Sequence, residues 1–149
     1  AWWKKPLELF QSDPDSEQDV DYYAEGVELL QLGRYHEALT SFRLALREQP
    51  NDDIVRQQIA IVYTRIGMTD EAARTYRSVL ERDPNAIGAH YGLAFLLLRA
   101  GRTEEAVPHL RAFLASPPEG PAVRRHVEHA RRTLAEITGE PVEEEPSHG

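Results

Sequence analysis

The sequence predicts an all-α fold in which three helix-turn-helix units stack in line and a further helix closes the end. Glycine recurs at Gly33, Gly67 and Gly101, once every 34 residues. Alanine keeps step at Ala38, Ala72 and Ala106 and proline at Pro50, Pro84 and Pro118, with the large residues Phe42, Tyr76 and Leu110 between them. A period of this length marks a solenoid, because units that cannot bury their apolar faces alone must stack on one another.

Each repeated column has a physical reason. A helix ending at Leu32, Ile66 or Ala100 closes its last turn with a left-handed residue, which glycine adopts without a Cβ clash. The alanine early in each second helix lets the helix pair approach, where a larger side chain would hold the two apart. The closing proline cannot continue a helix and biases its predecessor to extended geometry, so the chain turns into the next unit. Glu37, Asp70, Glu71, Glu104 and Glu105 fall in the first turns of the second helices, where they complement the positive end of the helix dipole. Helices are therefore expected over 17–32, 35–48, 53–66, 69–82, 86–100 and 103–115.

A seventh helix should open at Pro121, a residue tolerated at the first helical position, and end at Gly139. Its apolar stripe is Val123, Val127, Ala130, Leu134 and Ile137, with Arg124, Arg125, Glu128, Arg131 and Arg132 on the remaining faces. A stack leaves its last apolar face bare, so a helix with one wet side is the expected cap and its basic run is read as solvated surface. The chain then divides into an apolar and acidic N-terminal extension (1–18), three units spanning 19–118 (19–52, 53–86 and 87–118), a capping helix (119–139) and a disordered acidic tail (140–149).

The 149 residues suffice for one domain with a real core. A net charge of -8 argues against a nucleic-acid partner and against anionic membranes, since both present negative charge. The absence of cysteine excludes a disulfide frame, a thiolate zinc site and a thiol nucleophile. No apolar run approaches the roughly 20 residues that cross a bilayer. A soluble domain is expected, either cytoplasmic or tethered to a membrane.

The segments LGRYHEALTSFRLALREQP, IGMTDEAARTYRSVLERDP and AGRTEEAVPHLRAFLASPP resemble the second half of the tetratricopeptide-repeat (TPR) motif, and the resemblance spans about Asp19 to Pro118. The first halves depart more: the small residue of the motif is Gly26, Ala60 and Ala94, while the bulky early position holds Tyr22, Arg56 and His90. Arg56 there suggests a looser helix contact in the second unit. The resemblance implies a right-handed solenoid whose inner wall is built by the first helix of each pair. Carried onto this sequence, the wall is Val20, Tyr23, Val27, Leu30 and Gln31, then Ile54, Gln57, Ile61, Thr64 and Arg65, then Gly88, Tyr91, Phe95, Leu98 and Arg99.

Tyr23, Val27, Leu30, Ile61, Tyr91, Phe95 and Leu98 would make that wall an apolar groove for a peptide or helix of a partner protein, with Arg65 and Arg99 pairing an acid at its edge. Tyr91 and Phe95 are its expected centre. Gly88 and Gly92 either leave a hollow beside them or serve close helix packing. The subgroup of the family that serves Hsp90 and Hsp70 captures a C-terminal carboxylate with Lys, Asn and Arg. Here those positions hold Tyr23, Val27, Gln58, Gly88 and Gly92, none of them a cation, so that partner class is not expected.

The opening AWWKKPLELF admits further readings. Trp2 and Trp3 followed by Lys4 and Lys5 look like residues flanking a membrane anchor upstream, or are simply an apolar chain end. Alternatively Trp2, Trp3, Leu7 and Phe10 form the groove's own ligand, folding back or entering a neighbouring molecule to build a homo-oligomer. His126 and His129 have a metal-compatible spacing without a third ligand and are read as surface histidines; His36, His90, His109 and His148 lack the partners of a nucleophilic site. No catalysis and no cofactor are expected. The sequence thus points to a scaffold that binds another polypeptide, or alternatively to a self-assembling structural protein.

Overall fold

The computed structural model describes residues 20–142, and within them the chain is helical throughout, with no strand. The helices are α1 (Tyr22–Gln31), α2 (Tyr35–Glu48), α3 (Asp53–Ile66), α4 (Thr69–Arg82), α5 (Ile87–Arg99), α6 (Thr103–Ala115) and α7 (Pro121–Thr138). Consecutive helices pack on one another, and α3 also touches α1 and α5, which is the pattern of a helical solenoid. The extension to residue 18, with Trp2, Trp3, Leu7 and Phe10, lies outside the described residues, as does most of the acidic tail.

The three turns between paired helices share one construction. Gly33, Gly67 and Gly101 have φ of 76°, 92° and 77°. In the middle turn the Met68 N–H reaches back to the Tyr63 carbonyl at 2.9 Å and the Gly67 N–H to Thr64 at 3.2 Å, satisfying carbonyls that the helix end would otherwise strand. The first helix begins at Tyr22, later than residue 17, because the Asp21 carboxylate accepts from the Ala24 N–H at 3.0 Å and sets the start. Asp52 caps α3 in the same way. The second helices lack a side-chain cap; at α2 and α6, Arg34 and Arg102 instead pair with Glu37 and Glu105 and hold those carboxylates at the positive helix start.

The core is divided among the units. Ala38, Phe42, Val55 and Val62 bury the α1–α2–α3 contact; Ala72, Tyr76, Val79, Leu93 and Leu97 bury the next; Ala94, Leu110, Phe113, Val127 and Ala130 seal α7 onto α5 and α6. Ala38, Ala72 and Ala106 are all fully buried, as is Ala60, so the second unit closes as tightly as its neighbours. The looser contact expected from Arg56 does not arise, because its guanidinium turns along the helix start to Asp53 at 3.4 Å and to the Pro50 carbonyl.

Candidate partner-binding site

Apart from Val20, which precedes α1, the residues of the expected wall lie on α1, α3 and α5. Tyr23, Val27, Leu30, Ile61, Tyr91, Phe95 and Leu98 are half-buried, each edge packed on a core cluster while the rest meets solvent. Val20 and Ile54, at the mouth of the wall, are exposed at 38% and 62%. Arg65 and Arg99 are exposed. Tyr23 leans on Phe42 and its hydroxyl accepts from the Gln58 amide at 3.3 Å, which fixes the ring at the start of the wall.

At the far end the aromatic residues form a cluster. Tyr91 lies 4.7 Å from Phe95 and 4.9 Å from Phe113, ring centre to ring centre. Burial raises the Tyr91 hydroxyl above its ordinary pKa, so it stays a neutral donor and acceptor. A cavity of about 350 Å³ opens beside it, lined by Ile87, Gly88, Tyr91, Phe113, Pro118, Val123 and His126. This is large enough for a bulky apolar side chain.

The two glycines behave differently. Gly88 lines that cavity. Gly92 leaves no hollow: a Cβ placed there would stand 2.4 Å from the Tyr76 ring and hydroxyl, so this glycine admits the aromatic residue of the preceding unit.

The histidines of α7 are surface residues, as expected, but what they touch was not foreseen. His126 and His129 are exposed, yet each sits on the aromatic cluster: His126 Nδ1 is 3.0 Å from the Tyr91 hydroxyl, and the His129 ring stacks on Phe95. Both pairs cross 34 or 35 residues, one repeat period. That period was the available signal, since Pro121 opens α7 where the next repeat's first helix would begin. His90 and His109 instead pair with each other on the α5–α6 seam, Nδ1 to Nδ1 at 3.0 Å. No group of three or more His, Cys, Asp or Glu is placed to hold a metal ion among the described residues.

A tetratricopeptide-repeat family model matches residues 29–86 and 67–129. The chain belongs to the TPR family. No curated protein matches it. Among solved structures this TPR chain is similar to the type III secretion chaperone SycD of Yersinia enterocolitica in complex with a peptide of the translocator YopD, at 18% identity and a TM-score of 0.72 over 85% of this chain and 95% of that one. It is also similar to the TPR2B domain of yeast Sti1 in complex with pHsp70 (16% identity, TM-score 0.70, 81% and 96% covered). The TPR domain of Sgt2 from Aspergillus fumigatus follows at 19% identity, TM-score 0.65 and 92% and 91% coverage. At these identities the likeness concerns the fold. Among the described residues no TPR helix is long and apolar enough to cross a membrane.

Proposed function

We propose that this TPR chain is a non-catalytic docking module that seats a segment of another protein along the wall formed by α1, α3 and α5, anchored in the cavity beside Tyr91. The observation that carries the reading is the set of half-buried apolar side chains that the first helices present from Tyr23 to Leu98, together with a cavity of about 350 Å³ beside Tyr91. Each large apolar side chain seated there would contribute roughly 1.5–3 kcal/mol before ordering costs. The relatives give support of the same kind: SycD is seen with a peptide of YopD, and the Sti1 domain with pHsp70.

The partner is not expected to be held by a carboxylate clamp at the positions the Hsp90 and Hsp70 subgroup uses. Gln58 is engaged by Tyr23, Val27 packs on the first core cluster, and Gly92 is occupied by Tyr76. No charge-assisted donor stands at these places.

The test is affinity purification from the source cells with the wild-type chain and with Val27→Asp and Ile61→Asp variants. A partner retained by the wild type and lost from both variants, each still fully helical by circular dichroism, supports the reading. A partner retained equally by all three overturns it. Light scattering over a concentration series separates self-assembly, which gives a mass above that of one chain.

A further inference from the structure

The cap does more than close the stack, because it continues the wall with a different chemistry. α5 begins at Ile87 and α7 at Pro121, one repeat period apart, so each residue of α7 has a counterpart one period earlier. On this register Arg125, His129 and Arg132 stand where α5 places Tyr91, Phe95 and Leu98. The side-chain contacts agree, since His129 stacks on Phe95 and His126 meets Tyr91, which turns that flank of α7 toward the inner wall. Arg125 and Arg132 lie four residues before and three after His129, on the same helix face.

Along the aligned wall positions the charge is the reverse of the chain's. The protein carries 25 acidic against 17 basic residues. Yet none of the wall positions aligned in this way on α1, α3, α5 and α7 is a carboxylate, while Arg65, Arg99, Arg125 and Arg132 all are exposed cations. None of these four arginines forms an ion pair among the described residues, although Glu136 lies one turn beyond Arg132 on the same face. Several arginines elsewhere, among them Arg34, Arg74 and Arg102, are matched to carboxylates. An apolar wall that ends in unpaired guanidinium groups is complementary to a ligand that is apolar along most of its length and anionic at one end.

We propose that the partner segment seated on the wall is apolar and acidic in sequence, with its Asp or Glu side chains received by Arg99, Arg125 and Arg132. This rests on the docking function proposed above and specifies the chemistry of its ligand. The chain's own acidic tail is the less suited occupant. Residues 140–142 run along the other flank of α7, where Glu140 meets Arg111 at 3.6 Å and Val142 lines a separate hollow with Leu114 and Leu134. A nucleic acid would match the arginines but not the apolar wall leading to them.

A phage-displayed library of random peptides of about 12 residues, free of any chosen motif, tests this with the full 149-residue chain. Selection on the wild type is expected to enrich peptides that combine bulky apolar residues with Asp or Glu. Synthetic versions with an amidated C-terminus should bind about tenfold more tightly than their Asn and Gln counterparts at low salt, with the advantage shrinking at high salt. The triple variant Arg99→Glu, Arg125→Glu, Arg132→Glu should lose the acidic preference and retain the apolar one. Apolar enrichment without acidic enrichment overturns this proposal and leaves the docking reading standing. Peptides selected without any apolar preference, and insensitive to Ile61→Asp, overturn both. Displacement of a selected peptide by a single-stranded oligonucleotide would assign the arginines to phosphate and also overturn it.

Discussion

The His129 ring lies on Phe95 with centroids 4.8 Å apart and planes 16° from parallel, so the capping helix is bound to α5 by this stack as well as by the core beneath it. His129→Ala should remove a contact of about 0.5–1.5 kcal/mol. The expected result is a fall of a few degrees in Tm together with faster hydrogen exchange in α7 and little change in α1 to α4. Exchange in α7 equal to the wild type would show that the stack carries no energy.

Gly92 and Gly67 should resist substitution for different reasons. At Gly92 a Cβ meets the Tyr76 ring, so Gly92→Ala should cost about 1–3 kcal/mol through overpacking. At Gly67 nothing stands near the Cβ position, but φ is 92°, so Gly67→Ala should cost about 1–2 kcal/mol through the backbone alone. Adding Tyr76→Leu should recover part of the first loss and none of the second. Urea unfolding of the four variants decides it, and equal effects of Tyr76→Leu on both would contradict the packing argument.

Tyr76 links stability to alkaline pH. Its burial, only partly offset by a hydrogen bond with Thr64, pushes the hydroxyl from 10.0 up to about 12. The folded value lies above the unfolded one, so this contribution is complete below pH 10 and is lost as pH rises toward 12. A two-unit rise corresponds to at most about 2.7 kcal/mol. Denaturant unfolding at pH 9 and pH 11 should show the loss, and Tyr76→Phe should flatten it.

His109 acts in the opposite direction. The Nε2–H of His90 donates to the Pro84 carbonyl at 2.8 Å, so its Nδ1 accepts from the Nδ1–H of His109 at 3.0 Å. Burial first, then His90 and Arg77, lower the pKa of His109 below 6.5. Its stabilising contribution is therefore present above about pH 6.5 and is lost as pH falls through the lowered folded value. Tm should drop between pH 7.5 and pH 5, and His109→Asn, which keeps a donor toward His90, should reduce that slope. An unchanged slope would place the acid sensitivity elsewhere.

Tyr91 and Phe95 bear on both binding and fold. Each is half-buried against Phe113, His126 or His129, so Tyr91→Ala and Phe95→Ala should weaken partner binding and also lower Tm. Val27 and Ile61 also pack on a core cluster at one edge but lack the aromatic partners, so Val27→Asp and Ile61→Asp should lower Tm as well as affinity, with affinity falling more. Comparing loss of affinity with loss of Tm across the four variants separates the two roles. Equal ratios at all four positions would mean that the wall is only core.

The sequence by itself determined the helices, their order and their turns, because these depend on local physics. The left-handed glycines, the acidic first turns and the three-and-four spacing of apolar residues act within a few residues of one another, and their period specifies a stack. The ends of α2, α3, α4 and α6 were legible in this way. The start of α1 was set by the Asp21 cap, a local signal that the expectation of a start near residue 17 passed over.

Only the tertiary structure decided how side chains from neighbouring units meet. Gly92 receives Tyr76, the cavity opens beside Tyr91 and Gly88, and His126 and His129 cover the aromatic end of the wall. Each of these contacts joins residues many positions apart, and ring orientation across a helix interface depends on how the packed surfaces fill space. Periodicity states which face a residue occupies; packing alone states what it touches there.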